Sequence, residues 1–240
     1  MPPPPNPDTE LRFNWNAGLA QDPFSKETIY YGSQFMHKST DRGETWQVIS
    51  KDLSTNNPDF QRYKDSGGLT PDVTAAENNT AIIAIAPSPI KQGVIWVGTD
   101  DGRIHVTQDG GKSWKSVEEK ARKAPENAFI AHITPSLYNA DEAFIVFDNH
   151  RRVDMNPYIF KVSKYGSKFT NLSTKSIKGY ALSVQQDHVD ENLLFLGTEL
   201  GLFASTDAGD TWFKYDQGVP TVSVMDMAIQ QRENDLVLGT

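Results

Sequence analysis

The chain has 240 residues, 38% of them hydrophobic, enough to bury a sizeable core without metal or disulfide staples. It contains no cysteine, which excludes a disulfide framework, a zinc-thiolate centre and a thiol nucleophile. A formal net charge of −8, from 23 basic and 31 acidic side chains, argues against nucleic acid as a partner, and no apolar run reaches the roughly 20 residues needed for membrane insertion.

Residues 1–10, MPPPPNPDTE, read as a linker, because proline lacks the N–H that a sheet ladder needs. From Leu11 onward a unit recurs. The first has a short apolar strand, TIYYGS from Thr28, and then STDRGETW over 39–46. A connection from about Lys51 to Thr80, carrying Phe60, Tyr63 and the pair Gly67-Gly68, leads into the second unit. That unit reads AIIAIAPSP from Ala81, VIWVGT, and TQDGGKSW over 107–114. Its strands are expected at Ile82 to Ala86, Val94 to Val97, Arg103 to Thr107 and Ser113 to Val117, all rich in β-branched and aromatic residues. The third has AFIAHITPS from Ala128, AFIVFD, and a degenerate VSKYGSKF over 162–169 that keeps Gly166 and Phe169 but places Lys164 at the acid position. The fourth has YALSVQQD from Tyr180, LFLGT, and STDAGDTW over 205–212. A fifth begins with VMDMAIQQ from Val224 and stops at LVLGT.

Positions 41, 109, 164 and 207 are separated by 68, 55 and 43 residues, a unit of about 43 with inserted loops. Four short strands per unit, repeated, make the fold class all-β: a β-propeller of four-stranded antiparallel blades over residues 11–240, with four blades and part of a fifth. An incomplete ring is expected, and with it a fragment of a longer protein.

The repeated motif invites a catalytic reading of Asp41, Asp109 and Asp207, but its spacing puts each acid in the turn between third and fourth strands. There the acid accepts backbone N–H groups, Gly43, Gly111 and Gly209 supply a positive φ, and Trp46, Trp114 and Trp212 pack the turn. These nine residues are therefore read as structural. The histidines His37, His105, His132, His150 and His188 show no metal-ligand spacing, so neither metal nor cofactor is expected.

Ligand-binding candidates come from loops between second and third strands, at the opposite end of each blade from the aspartate turns. They are Ser33 and Gln34, then Asp100 and Asp101, then Asp148, His150, Arg151 and Arg152 within DNHRRVDMNP, and Glu199. The third of these loops mixes both charge signs with an imidazole.

The segments RFNWNAG at Arg12, TIYYGSQFMHKSTDRGETWQVISKDL at Thr28, GVIWVGTDDGRIHVTQDGGKSW at Gly93, LLFLGTELGLFASTDAGDTW at Leu193 and PTVSVMDMAIQQRENDLVLGT at Pro220 resemble bacterial secreted proteins with sortilin-like, Asp-box (BNR) propellers, often labelled glycosyl hydrolases. The resemblance implies a secreted or periplasmic setting and a carbohydrate, peptide or protein ligand, with the remaining blades of the parent chain as a further partner. It does not establish hydrolysis, because fold and activity separate readily. The expected role is a non-catalytic binding module. The alternative is a glycoside hydrolase of sialidase or xyloglucanase type whose catalytic carboxylates lie partly outside these residues.

Overall fold

The computed structural model describes residues 2–61 and 79–240. Tyr63, Gly67 and Gly68 lie outside the described residues. The chain forms two compact units, Met1–Glu118 and Glu119–Thr240.

Unit 1 holds two blades. The first comprises β1 (Leu19–Asp22), β2 (Ser25–Gly32), β3 (Met36–Ser39) and β4 (Gln47–Val48), and the second β5 (Ile82–Pro87), β6 (Ile95–Thr99), β7 (Ile104–Thr107) and β8 (Lys115–Ser116). Unit 2 holds blade three, β9 (Phe129–Pro135), β10 (Ala143–Asp148), β11 (Tyr158–Ser163) and β12 (Lys168–Asn171). It also holds blade four, β13 (Ala181–Gln186), β14 (Leu194–Thr198), β15 (Gly201–Ser205) and β16 (Phe213–Tyr215), and a hairpin of β17 (Asp226–Gln230) and β18 (Asp235–Gly239). Every sheet is an antiparallel meander in chain order. Four blades and a strand pair are what the repeat count predicts.

The second strands β6 and β10 carry continuous apolar runs because they are buried on both faces, with no exposed residue along their length, whereas β2 has exposed polar residues near its start. The first strands β5, β9 and β13 mix buried and half-buried positions. Blades two and four share an irregularity at the same station, where Ile82 pairs with Thr99 and Ala84 with Gly98, as Ala181 pairs with Thr198 and Ser183 with Gly197. The repeat is therefore equivalent in register as well as in spelling. In unit 1 Tyr30, Met36, Leu53, Ile82 and Val97 form the core, flanked by Ile49 and Trp114. In unit 2 Phe144, Ile159, Leu172, Ile177, Phe203 and Trp212 pack together.

The aspartate turn is the local device that ends each third strand. In blade one Asp41 accepts from Ser39 Oγ at 2.7 Å, Thr45 N at 2.8 Å and Thr45 Oγ1 at 2.5 Å, while Gly43 N donates to Ser39 Oγ at 2.7 Å. Asp109 and Asp207 repeat the pattern with Thr107 and Ser113, and with Ser205 and Thr211. The hydroxyl of Thr45 or Ser113, followed by the backbone N–H of the same residue, holds Asp41 and Asp109 down at about 2; Asp207 is lowered likewise by Thr211. Gly111 is required twice over, by a φ of +97° and because a Cβ there would sit 2.8 Å from Ile49 Cδ1. The tryptophans then bond across to the preceding blade, Trp114 Nε1 donating to Ile49 O at 2.9 Å and Trp212 Nε1 to Leu172 O at 3.0 Å. Trp46, in the first blade, donates to its own turn at Gly43 O.

Blade three solves the turn differently. Without the acid, Lys164 and Tyr165 both adopt left-handed φ, 54° and 49°, and the loop from Ser163 to Lys168 is short. Asp141, from the loop between β9 and β10, takes the Lys164 N–H on its carboxylate at 3.1 Å and the Tyr165 N–H on its carbonyl at 3.0 Å.

Candidate functional site

The loops between second and third strands differ sharply between the units. In unit 1 they are closed by their own chain. Ser33 Oγ lies 2.8 Å from His37 Nε2, and Gln34 accepts from Arg12 N at 2.8 Å while donating to Glu10 O. Asp100 accepts from Ala81 N at 2.9 Å and from Asn14 Nδ2 at 3.0 Å, and burial first of all pushes its carboxyl up to about 7. Asp101, 1% exposed, accepts from Thr55 N at 2.8 Å, Thr55 Oγ1 at 2.6 Å and Thr99 Oγ1. Both acids join the segment around Asn14 and the connection after β4 to the β6–β7 turn. Their oxygens face the protein.

In unit 2 the same loops assemble a different surface. Asp148 is buried at the end of β10 and accepts from His150 N at 2.9 Å and from His150 Nδ1 at 2.6 Å and 2.7 Å. With Nδ1 so engaged, Nε2 is the nitrogen left to face outward. The imidazole stacks on Tyr180, with ring centroids 4.3 Å apart and an interplanar angle of 19°. Glu199, at the end of β14, donates its backbone N–H to Tyr180 O at 3.0 Å. Burial, then the carboxylates of Glu199 and Asp148, raise the Tyr180 phenol. Arg151 lies over the Phe129 ring at 4.9 Å, and Arg152 Nη1 donates to Glu126 O at 2.6 Å. The two arginines thus flank the cluster and are themselves held.

Asp148, His150 and Glu199 are therefore brought together around Tyr180, with Arg151 and Arg152 beside them, whereas Asp100 and Asp101 are taken into the interior of unit 1. Tyr180 was not singled out by sequence, since a tyrosine opening a first strand reads as packing. Among the described residues no group of three or more His, Asp or Glu is placed to hold a metal ion.

No protein-family model matches the chain, and no curated protein matches it in sequence. Solved structures do. An ancestral GH74 enzyme aligns at 23% identity and a TM-score of 0.59 over 88% of this chain and 26% of that one. The GH74 xyloglucanase from Xanthomonas campestris aligns at 17% identity and 0.55 over 82% of this chain and 29% of that one.

The fold is that of a β-propeller.

The extracellular domain of a hybrid two-component system from B. thetaiotaomicron aligns as well, at 14% identity and 0.58, over 93% of this chain and 27% of that one. The chain thus spans little more than a quarter of the length of these propeller proteins. Among the described residues no helix is long and apolar enough to cross a membrane.

Proposed function

We propose that the chain is a non-catalytic carbohydrate-binding module of a larger secreted bacterial propeller protein, related to the sortilin-like, Asp-box group, and that it binds through the surface around Tyr180. The observation carrying this reading is the division of labour among the carboxylates there. Of the two loop acids Asp148 and Glu199, Asp148 has both oxygens taken up by His150, whereas the Glu199 carboxylate accepts no hydrogen bond among the described residues. A glycosidase needs two carboxyl groups about 5 to 10 Å apart, one to protonate and one to attack or activate water. One acid beside an aromatic plane, an imidazole Nε2 and two arginines is instead a set suited to hold hydroxyl groups in place. A xyloglucanase among the structural neighbours makes neutral polysaccharide the first ligand class to try.

The test is calorimetric titration of the purified protein with xyloglucan oligosaccharides and a panel of soluble polysaccharides, with reducing-end release followed in parallel. Binding without release, weakened about tenfold by Glu199→Ala and by His150→Ala, is expected. Release of reducing ends would replace this reading by the glycoside hydrolase alternative.

A further inference from the structure

Aligning the blades on their turns places one third-strand position on a common footing: His37, His105, Phe160 and Phe203, each two residues before the start of the motif. In blade four Phe203 is 1% exposed and closes the junction with blade three, packed with Leu172, Ile177 and a Trp212 that is 4% exposed. The equivalent junction in unit 1 has His105, Ile49, Leu53 and Trp114. His105 does not fill that space. Its Nε2 donates to Leu53 O at 2.7 Å, and the junction stays open as a cavity of about 620 Å³ walled by these four residues. That volume lies within the roughly 300 to 1,000 Å³ of small-molecule sites. The same repeat is sealed in one unit and hollow in the other.

The chemistry of the wall selects what could enter. Lys51 and Lys112 reach the cleft, both exposed and neither ion-paired among the described residues, in a chain whose net charge is −8. Asp52, the acid of the wall, is neutralised by Arg12 Nη2 at 2.6 Å. Burial holds His105 below its ordinary value, so the positive charge comes from the lysines. Ser113 and Ser116 donate their hydroxyl hydrogens to Asp109 and Glu118, which leaves their oxygens as acceptors for a ligand's own donors. Ile49, Leu53 and the Trp114 indole provide an apolar side. A matching ligand carries an anion, hydroxyl donors and a face of C–H groups.

We propose that this cleft between β4 and β8 is a second binding site, specific for an acidic saccharide bearing carboxylate groups. It is independent of the surface in unit 2, and either can fail without the other.

The experiment is titration with trigalacturonate, with neutral cellotriose as control and a glutamate-rich peptide as competitor class. Trigalacturonate should bind, cellotriose should bind at least about tenfold more weakly, and the affinity should fall with added salt. His105→Phe, which places in blade two the residue that closes blade four, should abolish binding while leaving the unfolding midpoint the same or higher. Should that variant misfold, the Lys51→Ala/Lys112→Ala pair serves in its place, since both side chains are exposed; it should lose binding and its salt dependence together. Equal affinity for cellotriose, preference for the peptide, binding unaffected by either variant, or no binding of trigalacturonate overturns the proposal.

Discussion

Blades two and four reach the same backbone station with an acid and use it in opposite ways. Asp100 N donates to Ala81 O, and Glu199 N donates to Tyr180 O, each at 3.0 Å. From there the side chains diverge. Asp100 folds back onto Ala81 N and Asn14, and Asp101 is filled by Thr55 and Thr99, whereas the Glu199 carboxylate accepts nothing among the described residues. The difference lies in what surrounds the station. Unit 1 has a chain segment before β1 and a connection after β4 that bring donors to the loop, while unit 2 brings a tyrosine ring and an imidazole. A loop carboxylate is open to a ligand only where the rest of the chain has not already supplied its donors.

The widest separation between the units is expected at the tryptophans of the repeated turn. Trp212 is buried and bonded to Leu172 O, so Trp212→Ala should cost about 3 to 5 kcal/mol, as for large core aromatics generally. Trp114 lines a cavity and is only half-buried, and Trp114→Ala should cost roughly half as much. Equal losses in urea denaturation would mean that the two junctions are sealed alike, and the contrast drawn from them would fall.

A smaller effect separates the loop acids. Asp101→Ala strands the Thr55 N–H and hydroxyl and leaves Thr99 Oγ1 only its 3.4 Å bond to Arg103 O, at a cost of about 2 to 3 kcal/mol, while Glu199→Ala should change stability by less than about 0.5 kcal/mol. The same denaturation series reads both. A Glu199 variant as unstable as the Asp101 variant would show that the unit 2 carboxylate is structural after all.

These contrasts also mark where sequence reading succeeds. The aspartate turn is legible because all its partners lie within four residues, so spacing alone predicts the bonds of Asp41, Asp109 and Asp207. Strand identity follows from the apolar runs. Strand length does not: the outer strand expected at Ser113 to Val117 shortens to Lys115–Ser116, because Ser113 is held in the turn by Asp109. The fate of Asp100 and Asp101 was out of reach, since their donors Asn14 and Thr55 lie 86 and 46 residues away. Tyr180 escaped for a related reason, as its partner His150 belongs to another blade. His105 was within reach. Set beside Phe160 and Phe203, it marks a third strand that lacks the phenylalanine at that position, although His37 holds the same place fully buried against Ser33.

A pH dependence is expected as well, and it sharpens the contrast between the two kinds of acid in unit 1. Asp100 has its folded value raised from about 3.8 to about 7 by burial, so between those values the folded chain keeps a proton that the unfolded chain has released. Its contribution is fully present below about pH 4 and is lost as pH rises toward about 7. Asp41 and Asp109, lowered to about 2 by their turn hydroxyls, act with the opposite sign: their contribution is present above about pH 4 and is lost as pH falls toward about 2. Unfolding midpoints followed from about pH 2 to 8 should therefore fall on both sides of a maximum near pH 4 as far as these groups decide it. Asp100→Asn keeps the shape and removes the ionisation, so it should flatten the limb between about pH 4 and 7 and leave the acid limb in place. Retention of the upper slope in that variant would assign it to another group and would count against a protonated Asp100 inside the loop.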